Sequence, residues 1–317
     1  GLTLILRNNF FSVGECEMAV EIPYRRKLDF EYGKAEVLAP GIRRVIANNP
    51  GPFTFHGTGT YILGTGSVAV IDPGPDDEAH IDAILASIPG ETVSHILVTH
   101  THMDHSPGCR LLQAKTGAPT YAYGPHGAGK IEQGVQVEEG GDMDFDPDHL
   151  VTHGEIIQGG DWSVECVYTP GHTSNHLCFQ LREQKALFTG DHVMGWSTSI
   201  ISPPDGDMAD YMLSLELLLD RDDEIYWPTH GPCIDEPKAH VEAYIAHRLE
   251  REQQIIACIE GGTYKIREMV PLMYKDTPEF MYPAAARSVL AAMENLVKKG
   301  TVNGSNGVTM DSEYNLT

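Results

Sequence analysis

Thr99-His-Thr-His-Met-Asp-His-Ser-Pro-Gly108 decides the reading of this chain. Four potential metal ligands, His100, His102, Asp104 and His105, fall within six residues of it. The preceding run, Val93-Ser-His-Ile-Leu-Val98, is short and apolar, the pattern of a buried strand. Ser106-Pro107-Gly108 follows, offering a capping hydroxyl and a proline suited to the first turn of a helix. The ligands are therefore predicted on a loop between the C-terminal end of a strand and a helix, where open α/β sheets place their chemistry. In an extended His-x-His pair both imidazoles project to one side and can share a cation, while Asp104 and His105, past the bend, can face a second. Imidazole and carboxylate together suit zinc, manganese or iron better than magnesium or calcium.

Working outward, Thr60–Leu63 and Ser67–Ile71 read as a hairpin ending at Asp72-Pro-Gly-Pro75, and Asp76–Ser87 as a helix. Downstream, Pro119–Tyr123 is a candidate strand, and residues 124–155 form a Gly- and acid-rich insertion expected to be a solvated loop. Trp162–Tyr168, His176–Leu181 and Ala186–Asp191 follow as strands, then a helix over Asp207–Asp220 and a last strand at Ile225–Trp227. Each of His172, Asp191 and His230 ends a strand at a turn, which makes the three further candidate ligands. From residue 236 the texture changes to three helices, Pro237–Glu260, Tyr264–Tyr274 (kinked or ended early by Pro271) and Pro283–Lys299. The few basic residues there, among them Lys265 and Arg267, are mixed with acids and favour packing or dimerisation over nucleic-acid contact. The expected organisation is an N-terminal arm with a possible extra strand (1–40), a catalytic domain (41–235) and a helical, winged-helix-like domain (236–317).

The 317 residues carry 45 Asp and Glu against 22 Lys and Arg, a net charge of −23, which repels polyanions at long range and argues against double-stranded DNA as a partner. No run approaches the ~20 apolar residues of a membrane span, and Leu2–Leu6 is too short for a signal-peptide core. Gly1 at the start leaves an upstream targeting segment open. Six cysteines without a Cys-x-x-Cys pair read as free thiols in a reducing cytosol, Cys233 alone standing close to a candidate ligand, His230. A cytoplasmic enzyme is expected, with room for a homodimer.

The set His100-x-His102-x-Asp104-His105, then His172, Asp191 and His230, resembles the metallo-β-lactamase superfamily over residues 41 to 235. Thr169-Pro-Gly-His-Thr173, His176 and the helical tail resemble its lactamase-β-like group, whose animal member is a mitochondrial endoribonuclease. The resemblance implies an α/β fold, the αββα sandwich with metals at one edge, and a small C-terminal winged-helix-like domain. It assigns His100, His102 and His172 to one divalent metal, Asp104, His105 and His230 to a second, and Asp191 to both, with zinc first and manganese or iron open. Asp72 would orient a ligand histidine, Asp104 would also take a proton, His176 would give one to the leaving group, and Ser174–His176 would meet an oxyanion. A metal-bridging hydroxide would be the nucleophile. Only 38 residues separate Asp191 from His230, which leaves no room for the large insertion of RNA-processing cleavage-factor nucleases. A dinuclear-metal hydrolase is expected, acting first on phosphodiesters of single-stranded RNA. The alternatives are acyl-thioester or ester hydrolysis, as in glyoxalase II, and an iron-dependent persulfide dioxygenase using only His100, His172 and Asp191.

Overall fold

A computed structural model describes residues 20–128, 130 and 140–317. The first sheet has seven strands in sequential order: β1 (Ala35–Ala39), β2 (Ile42–Ile46), β3 (Gly59–Leu63), β4 (Ser67–Ile71), β5 (Thr92–Leu97), β6 (Thr120–Ala122) and β7 (His149–Leu150). The second has five, β8 (Ile156–Gln158), β9 (Ser163–Tyr168), β10 (Leu177–Leu181), β11 (Ala186–Gly190) and β12 (Ile225–Pro228), with β12 at one edge and β8 at the other. The sheet thus begins inside the stretch expected to be an arm, because β1 pairs antiparallel with β2. The part of that arm before Val20, with Glu15, Cys16 and Glu17, lies outside the described residues.

Strand alternation builds four layers. Tyr61, Leu63, Ala69 and Ile71 point to the inner core with Val164, Cys166, Phe179 and Phe188 of the second sheet. Their neighbours Ile62, Val68 and Val70 point the other way, under α1 (Glu78–Ala86) and α2 (Gly108–Thr116). On the far side Val167, Cys178, Leu187 and Tyr226 meet α3 (Met208–Leu219) and α4 (Pro237–Glu260). With a period of two, each sheet buries both faces, so the chain is a sandwich of sheets clad in helices. Asp77 and Asp207 start α1 and α3 by accepting backbone N–H groups. Then come α5 (Ile266–Met273), α6 (Tyr282–Lys298) and a small hairpin of β13 (Val302–Gly304) with β14 (Tyr314–Leu316), which share a separate core. As expected of Pro271, α5 stops two residues after it.

Two local expectations fail. Ser106 does not cap α2; its hydroxyl donates to Asp142, 2.9 Å away, which also takes the Arg110 guanidinium at 3.1 Å. Asp142 comes from the acid-rich insertion, yet it is buried, and its backbone N–H donates to the Thr101 carbonyl. The described part of that insertion is therefore a brace for the His100–His105 loop rather than a solvated loop, and it also contributes β7, which pairs parallel with β6.

Candidate metal centre

Strands β4, β5 and β6 run parallel, as do β11 and β12, and their C-terminal ends meet at one edge of the sandwich. That edge receives Asp72 from β4, His100–His105 from β5, His172 from the turn after β9, Asp191 from β11 and His230 from β12. All seven candidate ligands converge there. Donor atoms of His100, His102 and His172 lie within 4.8 Å of one another, as do those of His100, His105 and Asp191, and of Asp104, His105 and His230. Asp191 stands between the two histidine groups, 3.8 Å from His172 Nε2, 3.6 Å from His105 Nε2 and 3.5 Å from His230 Nε2.

The protein aims these rings from behind. His172 Nδ1 donates to the Ile200 carbonyl (2.6 Å) and His230 Nδ1 to the Gly57 carbonyl (3.1 Å). His105 Nδ1 donates to Asp72 (2.9 Å), and His100 Nδ1 to the Thr99 hydroxyl (3.1 Å), which itself donates to Asp72 (2.7 Å). Each of these four rings is therefore held by Nδ1, with Nε2 turned to the centre. Asp72 orients His105 as expected, and gathers Thr99 and Thr229 as well.

Electrostatics agree with the geometry. Burial, then the histidines around it, holds His102 down to about 3 and His100 well below the imidazole range, so both are neutral. Burial also opposes a charge on His105, but the carboxylates of Asp104 and Asp191 outweigh it and raise His105 well above its ordinary value. His105 Nε2, His230 Nε2 and Asp191 Oδ1 are buried with no hydrogen-bond partner. Buried polar atoms rarely stay unpaired, and three together among imidazoles and carboxylates form a donor set that divalent cations, in place of protons on His105 and His230, fit.

A cavity of about 620 Å³ opens onto the cluster. Asp104 faces it, its side chain 26% exposed against 11% for Asp191. His176 does not. It is fully buried behind His100, with Nδ1 on the Thr169 hydroxyl (2.9 Å) and Nε2 accepting the Asp191 backbone N–H (3.3 Å). The proton-donor role expected of His176 is thus corrected to positioning of Asp191. The oxyanion role of its neighbours fails similarly: Ser174 donates to Asp205, and Asn175 donates to Thr101 and to two backbone carbonyls. Gly171 has φ +134, and a Cβ there would lie 2.3 Å from the Tyr211 backbone, so only glycine lets the turn that carries His172 pack this closely on α3. Cys233 does not belong to the donor groups.

One wall residue went unread. His126 follows β6, lines the cavity beside His102, and holds Thr101 through Nδ1. It obeys the strand-end rule that singled out His172 and His230, and Gly124-Pro125 was its signal. The C-terminal helix reaches the site too: Pro283, Ala284 and Arg287 of α6 form part of the cavity wall.

Residues 54–230 match the model of the metallo-beta-lactamase superfamily, and residues 266–307 that of the beta-lactamase associated winged helix domain. The chain is 31% identical over 277 residues to the beta-lactamase-like protein 2 homolog of Caenorhabditis elegans, covering 84% of this chain and 88% of the relative. It is 30% identical over 237 residues to the atrochrysone carboxyl ACP thioesterase of Aspergillus fumigatus, covering 72% of this chain and 68% of the relative. Among solved structures, a beta-lactamase domain protein from Burkholderia ambifaria superposes with TM-score 0.76 at 19% identity, covering 93% of this chain and 97% of that one. A metallo-beta-lactamase family protein from Thermus thermophilus gives 0.71 at 19% identity, covering 89% and 100%. By these matches the chain belongs to the metallo-β-lactamase superfamily, as a hydrolase with an appended winged-helix domain.

Proposed function

We propose that this hydrolase cleaves acyl thioesters, with the acyl group in the 620 Å³ cavity and its carbonyl at the donor cluster. The observation that carries the reading is the wall: Phe53, Met103, Met194, Ile200, Pro283 and Ala284 give the cavity an apolar lining beside the ligands. Such a wall suits an acyl chain and, with Arg287 its one arginine among the described residues, gives little to the charged backbone of RNA. The thioesterase named among the relatives supports the same choice.

His100, His102 and His172 would hold one divalent ion, and Asp104, His105 and His230 the other, with Asp191 between them. Two such ions, zinc first in our reading, would supply a hydroxide near neutral pH and would draw charge from the attacked carbonyl. Asp104, on the open side, is placed to receive the proton of the attacking water. Leu177 and Gly190, bonded and packed against the Thr99 turn, keep water from the back of the cluster. A thiol leaving group has a pKa of about 8.5, so it departs as thiolate without a donated proton. That matches the retirement of His176 from proton transfer, and it weighs against phosphodiesters, whose alkoxide leaving group needs an acid. Seven converging donors also exceed the three that an iron dioxygenase would use.

Phosphodiester cleavage is retained as the second reading for one reason, a cationic cavity beside the first. The test is hydrolysis by zinc-loaded protein of short and long acyl thioesters beside single-stranded RNA, with Asp104→Ala as control. Thioester turnover that rises with acyl length and is lost in the variant is expected. RNA cleavage without thioester turnover would overturn the proposal.

A further inference from the structure

A second cavity, of about 370 Å³, shares Phe53, Met194, Ile200 and Ala284 with the first and lies between α4, α6 and the 194–200 segment. Its lining is unlike the rest of the chain. It gathers Arg26, His247, Arg248 and Arg251, with hydroxyls of Ser197, Thr198 and Ser288, and among the described residues not one aspartate or glutamate. In a chain with 45 acids against 22 Lys and Arg, a wall of cations without acids is an unexpected local composition.

The cations are not spent on ion pairs. Arg248, 6% exposed, donates to the Ser199 carbonyl and lies over the Tyr211 ring at 5.2 Å. Arg251 donates to the Met273 carbonyl (2.8 Å) and Gln254 and lies over Tyr274 at 4.5 Å. Both thus have neutral partners only among the described residues, and Nε of each is buried without an acceptor, as is Trp196 Nε1 of the same wall. His247 is held down to about 3, by burial first and then by the two arginines beside it. Guanidinium groups with flanking hydroxyls are the donor set that proteins use for phosphate.

We infer that this second cavity binds a phosphate group attached to the thiol side of the substrate, while the acyl side occupies the first. The assignment rests on the thioester reading for the identity of the group that bears the phosphate. One short strap joins the two cavities. The Ser199 carbonyl accepts from Arg248, and the next carbonyl, of Ile200, accepts from the ligand His172. A phosphate in the arginine wall would therefore sit one strap away from the metal-binding rings, on the side where a thiol arm would leave.

The experiment uses the full chain loaded with zinc, and measures binding of pantetheine, 4′-phosphopantetheine and coenzyme A together with hydrolysis of one acyl group on each. Phosphopantetheine is expected to bind at least tenfold tighter than pantetheine, with the gain in KM. Arg251→Gln should shrink that ratio to under threefold. Arg26→Gln, at an exposed position that no packing depends on, should reduce it partway and serves if the first variant folds poorly. Raising salt should narrow it in wild type. An equal affinity for the two thiols, or a phosphate gain that survives both variants and so belongs to the metals, would overturn the inference. Thioester turnover without phosphate preference would remove the subsite and leave the activity. A second arm compares 5′-phosphorylated with 5′-hydroxyl tetrauridylate. Phosphate preference confined to the oligonucleotide would assign the cavity to nucleic acid and defeat the thiol assignment.

Discussion

Asp72 is where a single change should reach furthest. Its carboxylate is fully buried and accepts four hydrogen bonds: from Thr99 N–H (2.8 Å), Thr99 hydroxyl (2.7 Å), Thr229 hydroxyl (3.1 Å) and His105 Nδ1 (2.9 Å). It thereby ties the end of β4 to the ligand loop after β5 and the turn after β12. It also sits at φ +49, a left-handed conformation that Asn and Gly tolerate and Ala does not. Asp72→Ala leaves four buried donors facing an apolar methyl; breaking such a network typically costs about 3–5 kcal/mol. The backbone strain of Ala at that φ adds roughly 1 kcal/mol. Asp72→Asn keeps the shape and one acceptor oxygen but turns an amide N–H₂ toward donors, so a smaller loss of roughly 2 kcal/mol is expected. Metal affinity should fall about 10–100-fold in both, because His105 loses the group that fixes its tautomer. Urea unfolding with chelator and with zinc separates the two effects, and a competing chromophoric chelator gives the affinity. The order wild type, Asn, Ala should hold in both measurements. An Asn variant with wild-type stability and zinc affinity would refute the reasoning, and show the strand ends to be held by packing alone.

Removing metal from wild type should lower the melting temperature, since saturation at 100 times Kd contributes about 2.7 kcal/mol, and the difference should shrink in Asp72→Asn. His80 is buried, pairs through Nε2 with the Thr60 hydroxyl, and burial lowers it to about 4. The folded value lies below the unfolded one, so the unfolded chain takes up the proton first as pH falls. Stability intact above pH 6.5 should drain between 6.5 and 4, by up to about 3 kcal/mol from this residue, and His80→Gln should flatten the slope seen in urea midpoints. Gly171→Ala should destabilise by roughly 3 kcal/mol, read in the same midpoints, because the new methyl meets α3 backbone at a positive φ. His176→Asn should weaken zinc binding about tenfold while leaving the shape of the pH–rate profile unchanged; loss of one limb would restore its proton-transfer role.

The candidate ligands are far more legible in the sequence than the walls around them. His100, His102, Asp104 and His105 sit on one loop, so their joint purpose is local and visible. His172, Asp191 and His230 were recovered because strand-end turns mark them individually. His176, whose role rested on the family resemblance and not on that rule, shows what a motif leaves out. It lies at the start of β10, not the end of β9, so its ring points behind the cluster rather than into the cavity. Asp142 was hidden for another reason. Acid-rich composition signals solvation, and nothing in the string shows that one of those acids is buried against Ser106 and Arg110. The cavities draw on Phe53, Met194, Arg248 and Pro283 from four distant parts of the chain, a convergence only the fold creates.

The same distinction changes how the charge of −23 should be used. Net charge governs approach from afar, yet fields from exposed acids fade over a Debye length of about 8 Å at physiological salt. Inside that distance the lining decides. The donor cluster mixes carboxylates with imidazoles and suits cations; the neighbouring cavity has arginines and, among the described residues, no acids to oppose an anion. A substrate with a compact phosphate at one end and an apolar acyl group at the other meets repulsion from the surface only over its charged end, and recovers it on arrival. A long polyanion stays outside over most of its length, within reach of the surface acids. Composition therefore argues against extended nucleic acid with more force than against a singly phosphorylated thioester, and on the proposed reading the two cavities set side by side would turn that difference into selectivity.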